Sequence, residues 1–131
     1  MLAGSEIKRL AGARLKDARV LLEAGRYDGA AYMCGYVVEL ALKARICRTL
    51  KWTGFPEKDQ EFKGLASLKT HDLDVLLRFT GREAFIKATL LAEWSAVLTW
   101  RPESRYRPTG SVTAAEASLM LDSAEALLRK L

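Results

Sequence analysis

Histidine occurs once in this chain, cysteine twice and proline three times, among 131 residues. Those scarcities exclude several chemistries at once. A zinc centre needs about four Cys, His or carboxylate ligands held together, which one His and two separated Cys do not supply. Cys34 and Cys47 fall in one predicted helix, roughly 20 Å apart at about 1.5 Å per residue, too far to form a disulfide. They read as small buried hydrophobes in a reducing compartment. No apolar run reaches the ~18 residues that a membrane helix needs. The segment from Met1 to Lys16 carries charges every few positions and has no signal-peptide apolar core. The cytoplasm is the expected location. A Gly-rich phosphate loop, a Ser-His-Asp arrangement and a close pair of catalytic carboxylates are absent too, and nothing implies a cofactor.

What remains is half hydrophobic and 28% charged, an ordinary globular balance. The length fits a single domain over residues 1–131, large enough to bury a core without metal or disulfide. A formal net charge of +5 permits an acidic partner such as a nucleotide or RNA, though many inert domains are equally basic.

Helical periodicity dominates. Ile7, Leu10, Ala11, Leu15, Ala18, Leu21 and Leu22 line one face of a first helix that Gly25 ends. Asp28 is placed to cap the second helix, and the short connection makes the pair antiparallel. From Asp28 to about Leu50 the chain is apolar on nearly every face, as in a helix at the middle of a bundle. Glu39 and Lys43 interrupt it with the i, i+4 spacing of an ion pair. Trp52 to Thr70 reads as a long loop with room for a helical turn. A short third helix follows from His71 or Asp72 to Phe79, stopped by Gly81. A fourth, from Arg82 to Trp100, is expected to bury Phe85, Ile86, Leu90, Leu91, Trp94, Val97 and Leu98. Arg101 to Val112 is a loop. Thr113 and Glu116 form a T-x-x-E capping box for a last helix from Ala114 to about Lys130. No strand is needed, and no internal repeat is present. The predicted fold is all-α, an antiparallel up-and-down four-helix bundle with an additional short helix.

Two stretches carry a family resemblance. The run Ala18-Arg19-Val20-Leu21-Leu22-Glu23-Ala24-Gly25-Arg26-Tyr27-Asp28-Gly29-Ala30-Ala31-Tyr32 resembles the start of HEPN domains. Val37-Val38-Glu39-Leu40-Ala41-Leu42-Lys43-Ala44 is close to that family's A-V-E-L-x-L-K-A core. Looser matches are Thr70-His71-Asp72-Leu73 and an ending with Trp94, Arg105 and Tyr106, so the resemblance runs from Ile7 to about Leu128. It implies a helical bundle, commonly a homodimer, and a link to minimal nucleotidyltransferase partners in prokaryotic toxin–antitoxin or defence systems. Some members are metal-independent ribonucleases built on an Arg, four to six intervening residues and a His. Here His71 would need its Arg at 64, 65 or 66, which hold Gly64, Leu65 and Ala66, and no His follows Arg101, Arg105 or Arg107. The usual nuclease pair is missing.

The leading candidate site is therefore a ligand loop. Arg101, Arg105 and Arg107 offer planar guanidinium forks suited to phosphate, and Tyr106 offers a face for a base. Trp100 and His71 are candidates to line the same surface. The competing reading of the loop is a solvated segment whose arginines pair with Glu103 or a helix C-terminus. Glu39 and Lys43 are expected to be a structural pair, Trp94 core, and Tyr27, Tyr32 and Tyr36 core or interface. His71 is expected to cap or pack. The function these residues support is a HEPN-type binding module for a nucleotide or RNA. The alternatives are a divergent metal-independent ribonuclease using His71, Arg105 and Tyr106, and a purely structural interaction subunit.

Overall fold

The computed structural model describes residues 1–131, which form six α-helices and one two-stranded sheet. Gly4–Glu23 (α1), Tyr27–Leu50 (α2) and Ala114–Lys130 (α6) are the long helices. Leu73–Phe79 (α3), Glu83–Thr89 (α4) and Leu91–Val97 (α5) are short. The helix α2 packs on α1, α6 and α3, and α5 packs on α6.

The hairpin of α1 and α2 follows from local chemistry. Gly25 takes φ +74, the left-handed conformation that glycine adopts freely. That turn lets the Arg26 N–H donate to Leu21 O at 2.8 Å and the Gly25 N–H to Leu22 O at 3.1 Å, a Schellman ending. The same closure ends α2, where the Trp52 N–H reaches Cys47 O at 2.8 Å around a left-handed Lys51. Asp28 does not cap α2. The helix starts one residue earlier, at Tyr27, and the Asp28 carboxylate instead accepts the N–H groups of Gly110 and Val112.

The all-round apolar character of α2 translates into burial, with Cys34, Val37, Val38, Ala41, Leu42 and Ile46 all inside the core. Leu73, Leu76 and Leu77 of α3, Trp94 and Val97 of α5, and Leu121, Ala124 and Leu127 of α6 complete it. Both cysteines are free and buried, and burial pushes the Cys34 thiol up to about 12, which keeps it protonated and inert. No helix is long and apolar enough to cross a membrane.

Three expectations are corrected. Leu2–Ala3 (β1) pairs antiparallel with Gly54–Phe55 (β2), so a strand is present. It exists because Gly54 has no Cβ: one there would lie 2.6 Å from the Leu2 carbonyl oxygen. The segment from Arg82 to Trp100 is not one helix, since Leu90, at φ -132 and ψ 36, separates α4 from α5. Just before the break the Thr89 hydroxyl donates back to Phe85 O at 2.7 Å, a side-chain bond that bends helices. The change of direction keeps Ile86 and Trp94 buried but leaves Phe85 and Leu91 exposed, against their expected inward positions. Finally, Asp72 and not His71 caps α3, accepting the N–H groups of Asp74 at 3.0 Å and Val75 at 3.3 Å.

Two glycines inside helices predict opposite responses to one substitution. A Cβ on Gly35 would lie 2.1 Å from the Trp100 indole, so Gly35→Ala should lower unfolding free energy by about 1–3 kcal/mol or more through overpacking. Gly12 in α1 has nothing within 4 Å of its Cβ position, and Gly12→Ala should stabilise by roughly 0.5–1 kcal/mol. Urea unfolding of the two variants measures both, and a neutral Gly35→Ala would refute the close contact.

Candidate functional site

The first turns of α2 and the loop after α5 share one surface, joined by Trp100. This indole is only 5% exposed. It lies on the bare backbone at Gly35 and meets Tyr36 edge to face, with ring centroids 4.9 Å apart, and Tyr32 at 6.2 Å. The Tyr32 and Tyr36 hydroxyls are 3.2 Å apart. That hydrogen bond, reinforced by burial, pushes the Tyr36 phenol up to about 12, so it stays a neutral donor.

Beside this aromatic group opens a cavity of about 500 Å³, within the size range of small-molecule sites. Arg26, Arg105 and Arg107 line it together with Tyr32, Trp100 and Asp28. Asp28 is engaged in holding the far wall, because its carboxylate accepts the Gly110 N–H at 2.7 Å and the Val112 N–H at 2.9 Å. Glu116, in the first turn of α6, also lines the cavity, so three guanidinium groups face two carboxylates, of which Asp28 is already bonded to the loop. Arg105 stands beside Tyr106 and Tyr32, and these hydroxyls hold its pKa above the ordinary value.

The expected ligand loop is thus divided. Trp100, Arg105 and Arg107 converge on the cavity, whereas Arg101 does not line it. The Arg101 guanidinium donates to Trp100 O at 2.9 Å and Leu98 O at 3.3 Å and lies 3.6 Å from Asp72, so it closes the end of α5 and ties it to α3. Tyr106 is 75% exposed, outside the cavity, with the Arg105 guanidinium 4.9 Å from its ring centre. His71 is outside too. Its Nδ1–H donates to Glu39 Oε1 at 2.6 Å. Glu39 is a nearly buried carboxylate, 3% exposed, that also has Lys43 Nζ at 3.6 Å. Buried charge is tolerated only when paired and hydrogen-bonded, which assigns Glu39, Lys43 and His71 a shared structural task. Through the adjacent Asp72, His71 nonetheless neighbours Arg101.

Arg26, Tyr32 and Gly35 escaped sequence reasoning as site residues. For Gly35 a signal existed: a glycine inside an apolar helix costs about 1 kcal/mol relative to Ala and so marks a close approach. Nothing local to Arg26 foretells that a loop some 80 positions later would meet it.

The Asp28 bond yields a pH prediction. Its two N–H donors, Gly110 first, hold the carboxyl below the usual carboxylate range. A pKa depressed on folding contributes stability that is present above the unfolded value, about 3.9, and lost as pH falls through the lower folded value. The Gly110 and Val112 amide NMR shifts should therefore stay constant from pH 7 to 5 and move only below the ordinary Asp range. In Asp28→Ala they should be displaced at every pH. Titration of these amides at the ordinary value would contradict the contact.

The HEPN domain family model matches residues 5–56. The match takes in α1, α2 and the β2 strand, including both stretches that carry the resemblance, and ends before α3. No curated protein and no solved structure matches the chain. Over residues 5–56, then, the chain is similar to HEPN domains.

Proposed function

We propose that this chain is a binding module whose ligand is a nucleotide or an RNA segment, held in the cavity beside Trp100. One observation carries the reading: Arg26, Arg105 and Arg107 line a single cavity next to Tyr32 and Trp100, and none of the three arginines is committed to a carboxylate. Guanidinium forks bind phosphate oxygens bidentately, and the half-buried Tyr32 presents an aromatic surface to a base. In this reading the bundle is of the four-helix type, with α5 as its fourth member and α3 and α4 as additional short helices.

Binding of a labelled single-stranded RNA, followed by fluorescence anisotropy, tests the site. Arg105→Ala with Arg107→Ala should weaken binding by on the order of tenfold per charge-assisted contact. The slope of log affinity against log salt should fall by about 1.4. Arg101→Ala should do less, because that guanidinium is already bonded to Leu98, Trp100 and Asp72. Unchanged affinity in the double variant would sink the proposal. The same RNA, incubated with EDTA, tests the rival ribonuclease. What favours the rival is that Glu39 fixes the His71 ring through Nδ1 and leaves Nε2 free on a residue whose side chain is 58% exposed. Cleavage lost in His71→Ala would support it; intact RNA at high protein concentration removes it.

The finer reading pairs the module with a minimal nucleotidyltransferase in a toxin–antitoxin or defence system and makes it a homodimer. Exposed Val20, Leu91 and Leu119 are apolar groups that a second copy or a partner would cover. Light scattering should find twice the 14.6 kDa chain mass at micromolar concentration, alone or in complex with the co-expressed partner. A 14.6 kDa species under both conditions overturns this part.

A further inference from the structure

The opposite end of α2 carries a second cationic recess. From Arg26 and Tyr32 to Arg45 and Arg48, the ends lie roughly 20–33 Å apart at the helical rise of about 1.5 Å per residue. There the start of α1, the last turns of α2, Trp52 and the end of α6 enclose a cavity of about 320 Å³. Lys8, Arg45 and Arg48 line it, and no Asp or Glu side chain does.

These three cations differ from the ion-paired ones in the molecule. Arg9, Arg14, Arg19, Arg78, Lys87 and Arg129 each sit within ion-pair distance of a carboxylate. Lys8, Arg45 and Arg48 make no ion pair with a carboxylate at all. The Nε of Arg45 is moreover buried without a hydrogen-bond partner. An unpaired buried donor on a charged group is unfavourable, because the water it gave up is not replaced. Burial, then Arg48, then Arg82 lower the Arg45 pKa, so each of these factors penalises its charge. A guanidinium still remains protonated at neutral pH. The recess holds three cations that no ion pair within the chain engages.

The floor of the recess adds donors of the same polarity. Gly4 and Ser5 open α1, a 20-residue helix whose N-cap residue, Ala3, has no side chain able to bond the free N–H groups of the first turn. Helix N-termini of this kind concentrate partial positive charge. Gly4 stands close against α2, its Cβ position 3.1 Å from Cys47 Cβ, which brings those N–H groups to the arginines. Trp52 supplies an aromatic wall.

We infer that this recess is a phosphate-binding site, distinct from the cavity beside Trp100, which takes a phosphate monoester or pyrophosphate group on Arg45, Arg48 and Lys8. Its volume is at the low end of small-molecule sites and suits one or two phosphoryl groups, not a duplex. The group belongs either to a free small molecule or to the 5′ end of an RNA strand. The site stands whether or not the Trp100 cavity binds anything.

Amide NMR titration of the full chain tests the inference, with three probes: pyrophosphate, a 5′-phosphorylated RNA trinucleotide and its 5′-hydroxyl counterpart. Pyrophosphate should move the Gly4, Ser5, Lys8 and Arg45 amides. Arg45→Gln with Arg48→Gln should weaken that response at least tenfold, whereas Arg105→Gln with Arg107→Gln should leave it intact. The Arg45 and Arg48 variant should melt no lower than the parent in chloride, because it removes an unpaired donor and a repulsion, and it should lose the pyrophosphate-dependent rise in Tm. A response to the phosphorylated RNA but not to its hydroxyl counterpart assigns the strand end as the source. A response to pyrophosphate alone assigns a free small molecule. Both outcomes support the site. Absent shifts at α1, shifts matched by sodium chloride of equal ionic strength, or a response that survives the Arg45 and Arg48 changes would overturn it.

Discussion

The seating of Trp100 on Gly35 is the contact on which the geometry of the Trp100 cavity depends. The loop from Arg101 to Val112 has little core of its own: its 3-10 turn, Pro102–Tyr106, contains no buried residue. Its position is set at its two ends. At one end the indole fills the space where a side chain at 35 would stand. At the other, Asp28 holds the Gly110 and Val112 amides. Both anchors are on α2, so α2 fixes where Arg105 and Arg107 stand relative to Arg26 and Tyr32. The Trp100 indole N–H has no hydrogen-bond partner. Apolar contact with the bare backbone and with two tyrosine rings must outweigh that unmet bond, since a buried aromatic residue is worth several kcal/mol of packing.

Glu39 is the second constraint, and it works on the arrangement of helices. A carboxylate in the middle of an apolar helix is costly unless its oxygens are occupied. Lys43 lies one turn away on the same helix, but at 3.6 Å it is not close enough to satisfy both oxygens. The second partner, His71, comes from the residue just before the Asp72 cap of α3. Seating α3 on α2 therefore satisfies Glu39, and satisfying Glu39 fixes the approach of α3. Asp72 then carries the link to Arg101 at the end of α5. Polar contacts through the adjacent residues His71 and Asp72 thus link the centre of α2 to the start of the ligand loop.

What was legible in the sequence was whatever local pattern decides. The bounds of α1, α2 and α6 follow from hydrophobic spacing, from Gly25 and from the Thr113 cap, whose hydroxyl accepts the Glu116 N–H at 3.1 Å. The burial of Cys34, Cys47 and Trp94 follows from their place in apolar helices. Features that depend on distant partners were not legible. Leu90 is as good a helix former as its neighbours, and the break there reflects the packing needs of Ile86 and Trp94 in different directions. The β1–β2 pair unites residues about fifty positions apart through the missing side chain of Gly54. Of the candidate ligand residues, Arg105, Arg107 and Trp100 meet in space. Arg101 and His71 instead serve neighbouring elements, because an arginine beside free helix carbonyls and a histidine beside a buried carboxylate are claimed by those groups first.

The charge arrangement along α2 follows from this economy of partners. In the middle of the helix, Glu39 engages Lys43 and the His71 ring, so Lys43 is already paired. Elsewhere Arg9 and Arg19 of α1, Arg78 of α3, Lys87 of α4 and Arg129 of α6 pair with acids one turn away or on a neighbour. At the two ends of α2, six cations without a carboxylate partner gather, Arg26, Arg105 and Arg107 around one cavity and Lys8, Arg45 and Arg48 around the other. Cations on solvated faces repel one another weakly, screened within about 8–10 Å. Gathering six unpaired cations in two recesses, one of which buries an unpaired guanidinium nitrogen, raises the free energy of the unliganded chain. Anions entering those recesses recover that free energy, and a ligand that carries phosphate is the natural class to do so.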